Sequence, residues 1–380
     1  MVALIVGGVA NFGATVDAGA APRPSNSPTV AAAAIAATTV VAAEPTTTVA
    51  LAVRPNFKYP ESELSFKAAG NTLYGTLERP AAGPLPGSRV PAVLLIADRS
   101  QTDRNGNGNG ITTNTLQRLG DFFAANGLAS LRFDKFGTGK TGGGTFTAHP
   151  ETVTYDVFIA AANSAYQTLR AQSGIDPTRL GILGHGDGAL IALSLATDTR
   201  ATPGLKWLVV LNPPGVRALE VLEGQLIAAL YSQATSTTAP KAKLDDAAIQ
   251  LSTAVKQIRA GELAKVKPTD SYLAQTFAPG NLKFLQTQDA IDPQKLAANL
   301  RAGLAVYSAC ALRGGIFPCK TSAALRSILS KGAGRSTVEL DDATHALLRV
   351  DPKSGQVSSA TSAKLETGLI AAMKHAFGLK

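Results

Sequence analysis

From Glu61 onward, apolar and polar positions fall into short blocks whose period changes again and again. "ELSFKA" and "TLYGTLERP" alternate residue by residue around Gly70-Asn71, which predicts an antiparallel hairpin. "VPAVLLIAD" (90–98) is continuously apolar, as expected of a strand covered on both faces. "TNTLQRLGDFFAANG" (113–127) sets Leu116, Leu119, Phe122 and Phe123 on one helical stripe that stops at a glycine. Further strands are predicted over 128–134, 179–184, 206–212, 302–309 and 336–342. Further helices are predicted over 151–172, 187–198 and 320–331, with a last one from Ser362. Strand and helix in alternation predict an α/β fold, a mainly parallel central sheet with helices on both faces. The rhythm breaks after Pro213-Pro214. Residues 216–299 carry helical periodicity alone, which predicts a helical cap inserted over the carboxyl edge of the sheet, where open α/β sheets bind ligands.

Before Glu61 there is no such pattern. Residues 1–60 are largely Ala, Val, Thr, Gly and Pro, and read as a low-complexity leader and export segment. "MVALIVGGVA" and "TVAAAAIAATTVVAA" (29–43) are apolar but too short to span a bilayer, and the first basic residue is Arg23. Residues 61–380 then form one domain with the cap inside it. The expected location is secreted or cell-envelope, with the cytoplasm as the alternative.

Composition narrows the function only a little. Hydrophobic residues make up 45% of the chain and aromatics 6%, so the core is built mainly of Ala, Leu, Val and Ile. The net charge of +9 is spread along the chain and reads as a diffuse basic surface. That suits weak association with anionic envelope surfaces. No basic stripe interleaved with aromatics is present, so no nucleic-acid partner is expected. The four histidines show no metal-ligand spacing, and neither metal nor cofactor is expected. Cys310 and Cys319 are the two cysteines, a candidate disulfide in an exported protein and free thiols in a reducing one.

Several segments together carry a family likeness. They are "QTDRNGN" (101–107), "RFDKFGTGKTGG" (132–143), "DPTRLGILGHGDGALIA", "LVVLNPPG" and "LDDATHALL". In this order they resemble the α/β-hydrolase superfamily, and within it the bacterial capped serine esterases. The resemblance implies an α/β-hydrolase fold and ester hydrolysis by a serine on a strand-to-helix elbow, with a histidine, an acid and an oxyanion hole.

Carried onto this chain, those parts are incomplete. The serine's place in Gly184-His185-Gly186-Asp187-Gly188 is held by Gly186, which has no attacking atom. The acid's place falls on Leu312 or Gly314, neither a carboxylate, inside a stretch bounded by the two cysteines. The oxyanion loop reads Asp98-Arg99-Ser100-Gln101 where the relatives carry small residues, and Asp98 would repel a developing oxyanion. His345 survives at the position of the base, with Asp341 and Asp342 near it in sequence. Asp187, beside the vacant serine place, is the low-ranked alternative nucleophile, and Ser100 another. The expectation is a catalytically inactive relative that keeps a ligand- or partner-binding role, toward a small apolar or acyl ligand. The alternative is an active ester or acyl hydrolase working through a displaced nucleophile and His345.

Overall fold

The computed structural model describes residues 59–81, 88–98, 102–108, 112–236, 241–313, 318–354, 356–357 and 364–379. The expected leader lies outside them, apart from its last two residues. Eight strands form one sheet in the order β1-β2-β4-β3-β5-β6-β7-β8. β1 (Glu61–Ala68) and β2 (Asn71–Glu78) make the predicted hairpin, and β2 joins β4 (Ala129–Phe133) antiparallel. β3 (Val90–Ile96) pairs parallel with β4 and with β5 (Ile175–His185), which continues parallel through β6 (Leu205–Leu211), β7 (Ala305–Arg313) and β8 (Arg335–Thr344).

Successive strand residues point to opposite faces, and both faces are covered. Leu94 and Ile96 enter one core with α2 (Tyr155–Arg170) and α3 (Asp187–Thr197). Val93 and Leu95 enter a second core with α1 (Thr115–Ala125) and the last helix. Burial on both sides explains why β3 reads as an unbroken apolar run.

Between β6 and β7, where the sequence predicts a cap, lie α4 (Ala218–Ser236), α5 (Lys241–Arg259), α6 (Ser271–Thr276), α7 (Pro279–Asp289) and α8 (Pro293–Ala298). Their polar anchor is the buried Asp289. The carboxylate accepts from the Arg217 and Arg259 guanidiniums at 2.8 and 2.9 Å and from Leu219 N–H at 2.8 Å. One side chain thereby joins the starts of α4 and the ends of α5 and α7. After the cap come α9 (Ala323–Leu329) and α10 (Thr367–Phe377), whose first turn is capped by Glu366.

β7 runs to Arg313, beyond the predicted end at 309, because its pairing with β8 persists to Arg313↔Thr344. Cys310 on this strand is bonded to Cys319. Among the described residues, no helix is long and apolar enough to cross a membrane.

Candidate functional site

The loop motifs explain how the site is held. In the 101–107 loop, Asp103 accepts from the N–H groups of Asn105 and Asn107, curling the chain so that Arg104 meets the next motif. Arg104 Nη2 lies 2.7 Å from the Asp134 carboxylate, whose other oxygen accepts Arg104 N–H. This brace fixes the segment that begins at Lys135, directly beneath the carboxyl ends of β3 and β5.

The elbow follows from its three glycines. Gly184 and Gly188 sit where α3 crosses β5 and β3 so closely that a Cβ would overlap backbone: Gly188 O in one case, Ile96 O in the other. Gly186, between them, turns the strand into the helix with φ 56° and ψ −122°, a left-handed φ that suits glycine. A Cβ built on Gly186 meets something specific, since it would overlap the carboxylate of Asp98.

Asp98 follows β3 and is buried. One oxygen accepts the Asp187 N–H at 2.7 Å. That N–H belongs to the residue after the serine's place, where a hydrolase elbow supplies an oxyanion donor. The other oxygen lies 2.7 Å from His345 Nε2, the nitrogen that would otherwise face a serine hydroxyl. The carboxylate therefore spans both positions that an acyl reaction would use. Burial opposes the charge on Asp98. The bond to His345, the charges of His345 and His185 and the Asp187 N–H outweigh it, holding the carboxyl well below its ordinary range.

His345 is held through its own backbone. Its carbonyl accepts from Asn212 Nδ2 and from His185 Nε2, each at 2.7 Å. Asn212 in turn accepts Ala311 N–H, so the loop after β8 is pinned to β6 and β7. His185 donates to a carbonyl and is buried; burial first, then the charge of His345, pushes it down to about 4. Burial pushes Lys135 down to about 8, against the pull of Asp98 and Asp187; its ammonium donates to Ala97 O at 3.2 Å.

Asp187 is engaged elsewhere. Its carboxylate accepts from Tyr155 Oη at 3.1 Å and from Gln288 Nε2 of the cap at 2.7 Å. The elbow is thus tied to the cap by the residue considered as an alternative nucleophile.

The remaining candidates fall apart from this cluster. Leu312 is 49% exposed at the end of β7. Asp342 bonds Arg313 at 3.2 Å, and Asp341 meets the same guanidinium through its carbonyl. Arg99, Ser100 and Gly314 lie outside the described residues. No group of three or more His, Cys, Asp or Glu among the described residues is arranged to hold a metal ion. Asp98, Gly186, Asp187 and His345 are brought together. Lys135 and Asn212 stand inside segments already recognised from sequence, whereas nothing local marks Tyr155 or Gln288 as site residues.

The family model of the serine aminopeptidases, S33, matches residues 107–281. No curated protein sequence matches the chain at a significant level. Among solved structures, the chain is similar to Est1E of Butyrivibrio proteoclasticus with bound ferulic acid. Identity there is 15%, the match covers 74% of this chain and 91% of that one, and the TM-score is 0.47. It is also similar to the Pyrococcus furiosus esterase Pf2001, at 13% identity, with 77% and 87% covered and a TM-score of 0.48. A hairpin-led, mostly parallel sheet, an elbow at the end of β5 and the peptidase family match coincide on one chain. The chain has an α/β-hydrolase fold, and its residues 107–281 resemble the S33 serine aminopeptidases.

Proposed function

We propose that this chain is a non-hydrolytic member of the superfamily, working by binding a small apolar or acyl ligand or a partner in the cell envelope. The observation that supports it is the Asp98 carboxylate, which bonds both the elbow N–H and His345 Nε2 beside a glycine at the serine's place. An incoming acyl oxygen would meet a carboxylate instead of an unoccupied donor. The Cys310–Cys319 disulfide supports an oxidising compartment.

The second reading, hydrolysis through a displaced nucleophile, now rests on Asp98 itself, the carboxylate in contact with His345. One experiment separates the two. Purified protein is assayed with short-chain nitrophenyl esters and a fluorophosphonate probe, beside His345→Ala and Asp98→Asn variants. The binding role predicts no turnover above the variants and no labelling. Turnover lost on changing either residue would overturn it in favour of the second reading.

A further inference from the structure

Part of the positive charge that is spread along the sequence is set side by side by the fold at the edge where the parallel strands begin. In a parallel sheet every helix-to-strand loop returns to the edge where the strands begin, opposite the elbow. Here the starts of β3, β5, β6, β7 and β8 each carry a cation, just before the strand or in its first residues: Arg89, Arg179, Lys206, Arg301, Lys331 and Arg335. The strands that receive them are successive neighbours, β3, β5, β6, β7 and β8. Arg170 closes α2 at this same end.

The side chains are held there. Arg301 donates to the carbonyl of Leu205, the first residue of β6. Arg335 donates to the carbonyls of Leu300 and Arg301 at 3.2 and 3.0 Å. Arg89, Arg179, Lys206 and Lys331 are exposed. The acids on this end are committed locally. Asp176 accepts from Thr178 N–H and hydroxyl, and those bonds, together with the charges of Arg179 and Arg89, hold its carboxyl below the ordinary range. Asp198 accepts from the N–H groups of Arg200 and Ala201.

We propose that this end of the sheet is a docking face for an anionic lipid surface. Strand starts of one parallel sheet end on a common level, so the cations form a broad face instead of a groove. Among the described residues, the exposed large hydrophobics are Ile249 on the cap and Leu312 at the opposite edge, so no aromatic platform for bases accompanies the charges. The chain also enters the fold on this end. Glu61 of β1 pairs with Glu78, which pairs with Ser130 at the start of β4. The face is remote from the elbow, and the proposal stands whether or not the site turns over esters.

The test is sedimentation of the full chain with vesicles of phosphatidylcholine alone or with about one-third phosphatidylglycerol. Binding is expected to the anionic vesicles only, and to be lost in about 1 M salt, where the screening length falls to about 3 Å. The variant Arg179→Gln/Lys206→Gln/Lys331→Gln should lower the partition coefficient on the order of a hundredfold. Lys241→Gln/Lys243→Gln/Lys265→Gln, on the exposed cap surface, should leave it near the starting value. Equal binding to neutral vesicles, persistence in high salt, or an equal loss in the cap variant would overturn the proposal. Tighter binding to a DNA duplex than to the anionic vesicles at the same salt would overturn the choice of lipid.

Discussion

At the scale of single residues, a side chain on Gly186 and the Asp98 carboxylate compete for one space. A side chain on Gly186 would overlap the Asp98 carboxylate and would have to adopt φ 56°. Gly186→Ser alone should therefore gain no esterase activity and lose roughly 1–3 kcal/mol of stability, measured by urea unfolding. Adding Asp98→Gly should recover part of that loss, so that the pair falls short of the sum of the singles. Additive losses would show that the two side chains do not compete for the space.

The same cluster sets the acid limb of stability. Asp98 titrates lower folded than unfolded, so its contribution is present above about pH 4 and is lost as pH falls through the folded value. His185 works over a higher window. It is held neutral to about 4, whereas the unfolded chain takes up a proton below about 6.5. Stability should therefore fall between those values by roughly 3 kcal/mol on account of His185. His185→Gln should flatten that slope in urea midpoints measured at pH 7 and pH 4.5. An unchanged slope would mean that the imidazole is not excluded from protonation in the fold. The glycine and the surviving histidine were legible because each lies in a local motif. The Asp98–His345 contact was not, since it joins residues 247 positions apart.

Among the elements, the strand–elbow–helix unit and the cap are joined by side chains at the end of α7. Gln288 bonds Asp187 of the elbow, and Asp289 gathers Arg217, Arg259 and Leu219. Asp289→Ala leaves two part-exposed guanidiniums and a buried N–H without that acceptor. It should cost roughly 2–4 kcal/mol in urea unfolding. Gln288→Ala removes one buried amide and should cost about 1–2 kcal/mol. A loss in Asp289→Ala no larger than that of Gln288→Ala would show that the cap does not depend on the Asp289 junction. Helical periodicity placed the helices between β6 and β7. It could not show which polar groups fasten them, because those bonds span 30 to 101 residues. The end of β7 differs for a related reason: pairing with β8 carries the strand four residues past its predicted end at 309.

For the molecule as a whole, the disulfide and the charge distribution matter most. Cys310–Cys319 closes a loop of sequence separation 9, which restrains the unfolded chain. Its removal as Cys310→Ser/Cys319→Ser should cost roughly 2–3 kcal/mol, matched in the unaltered protein by adding a reductant. A variant as stable as the parent would deny the bond a stabilising role.

The sequence by itself determined the fold class, the strand and helix succession, the helical stretch between β6 and β7 and the glycine-rich turn after β5. Each of these is written in local periodicity, or in motifs a few residues long. Only the tertiary structure decided what fills the serine's place, what holds His345, and where the positive charge collects. Those outcomes depend on which strand ends the parallel sheet sets side by side, and hydrophobic patterning specifies burial without specifying the partner across the sheet. The charge that reads as diffuse in one dimension has several of its cations set side by side in three, because the parallel strands all begin at the same edge.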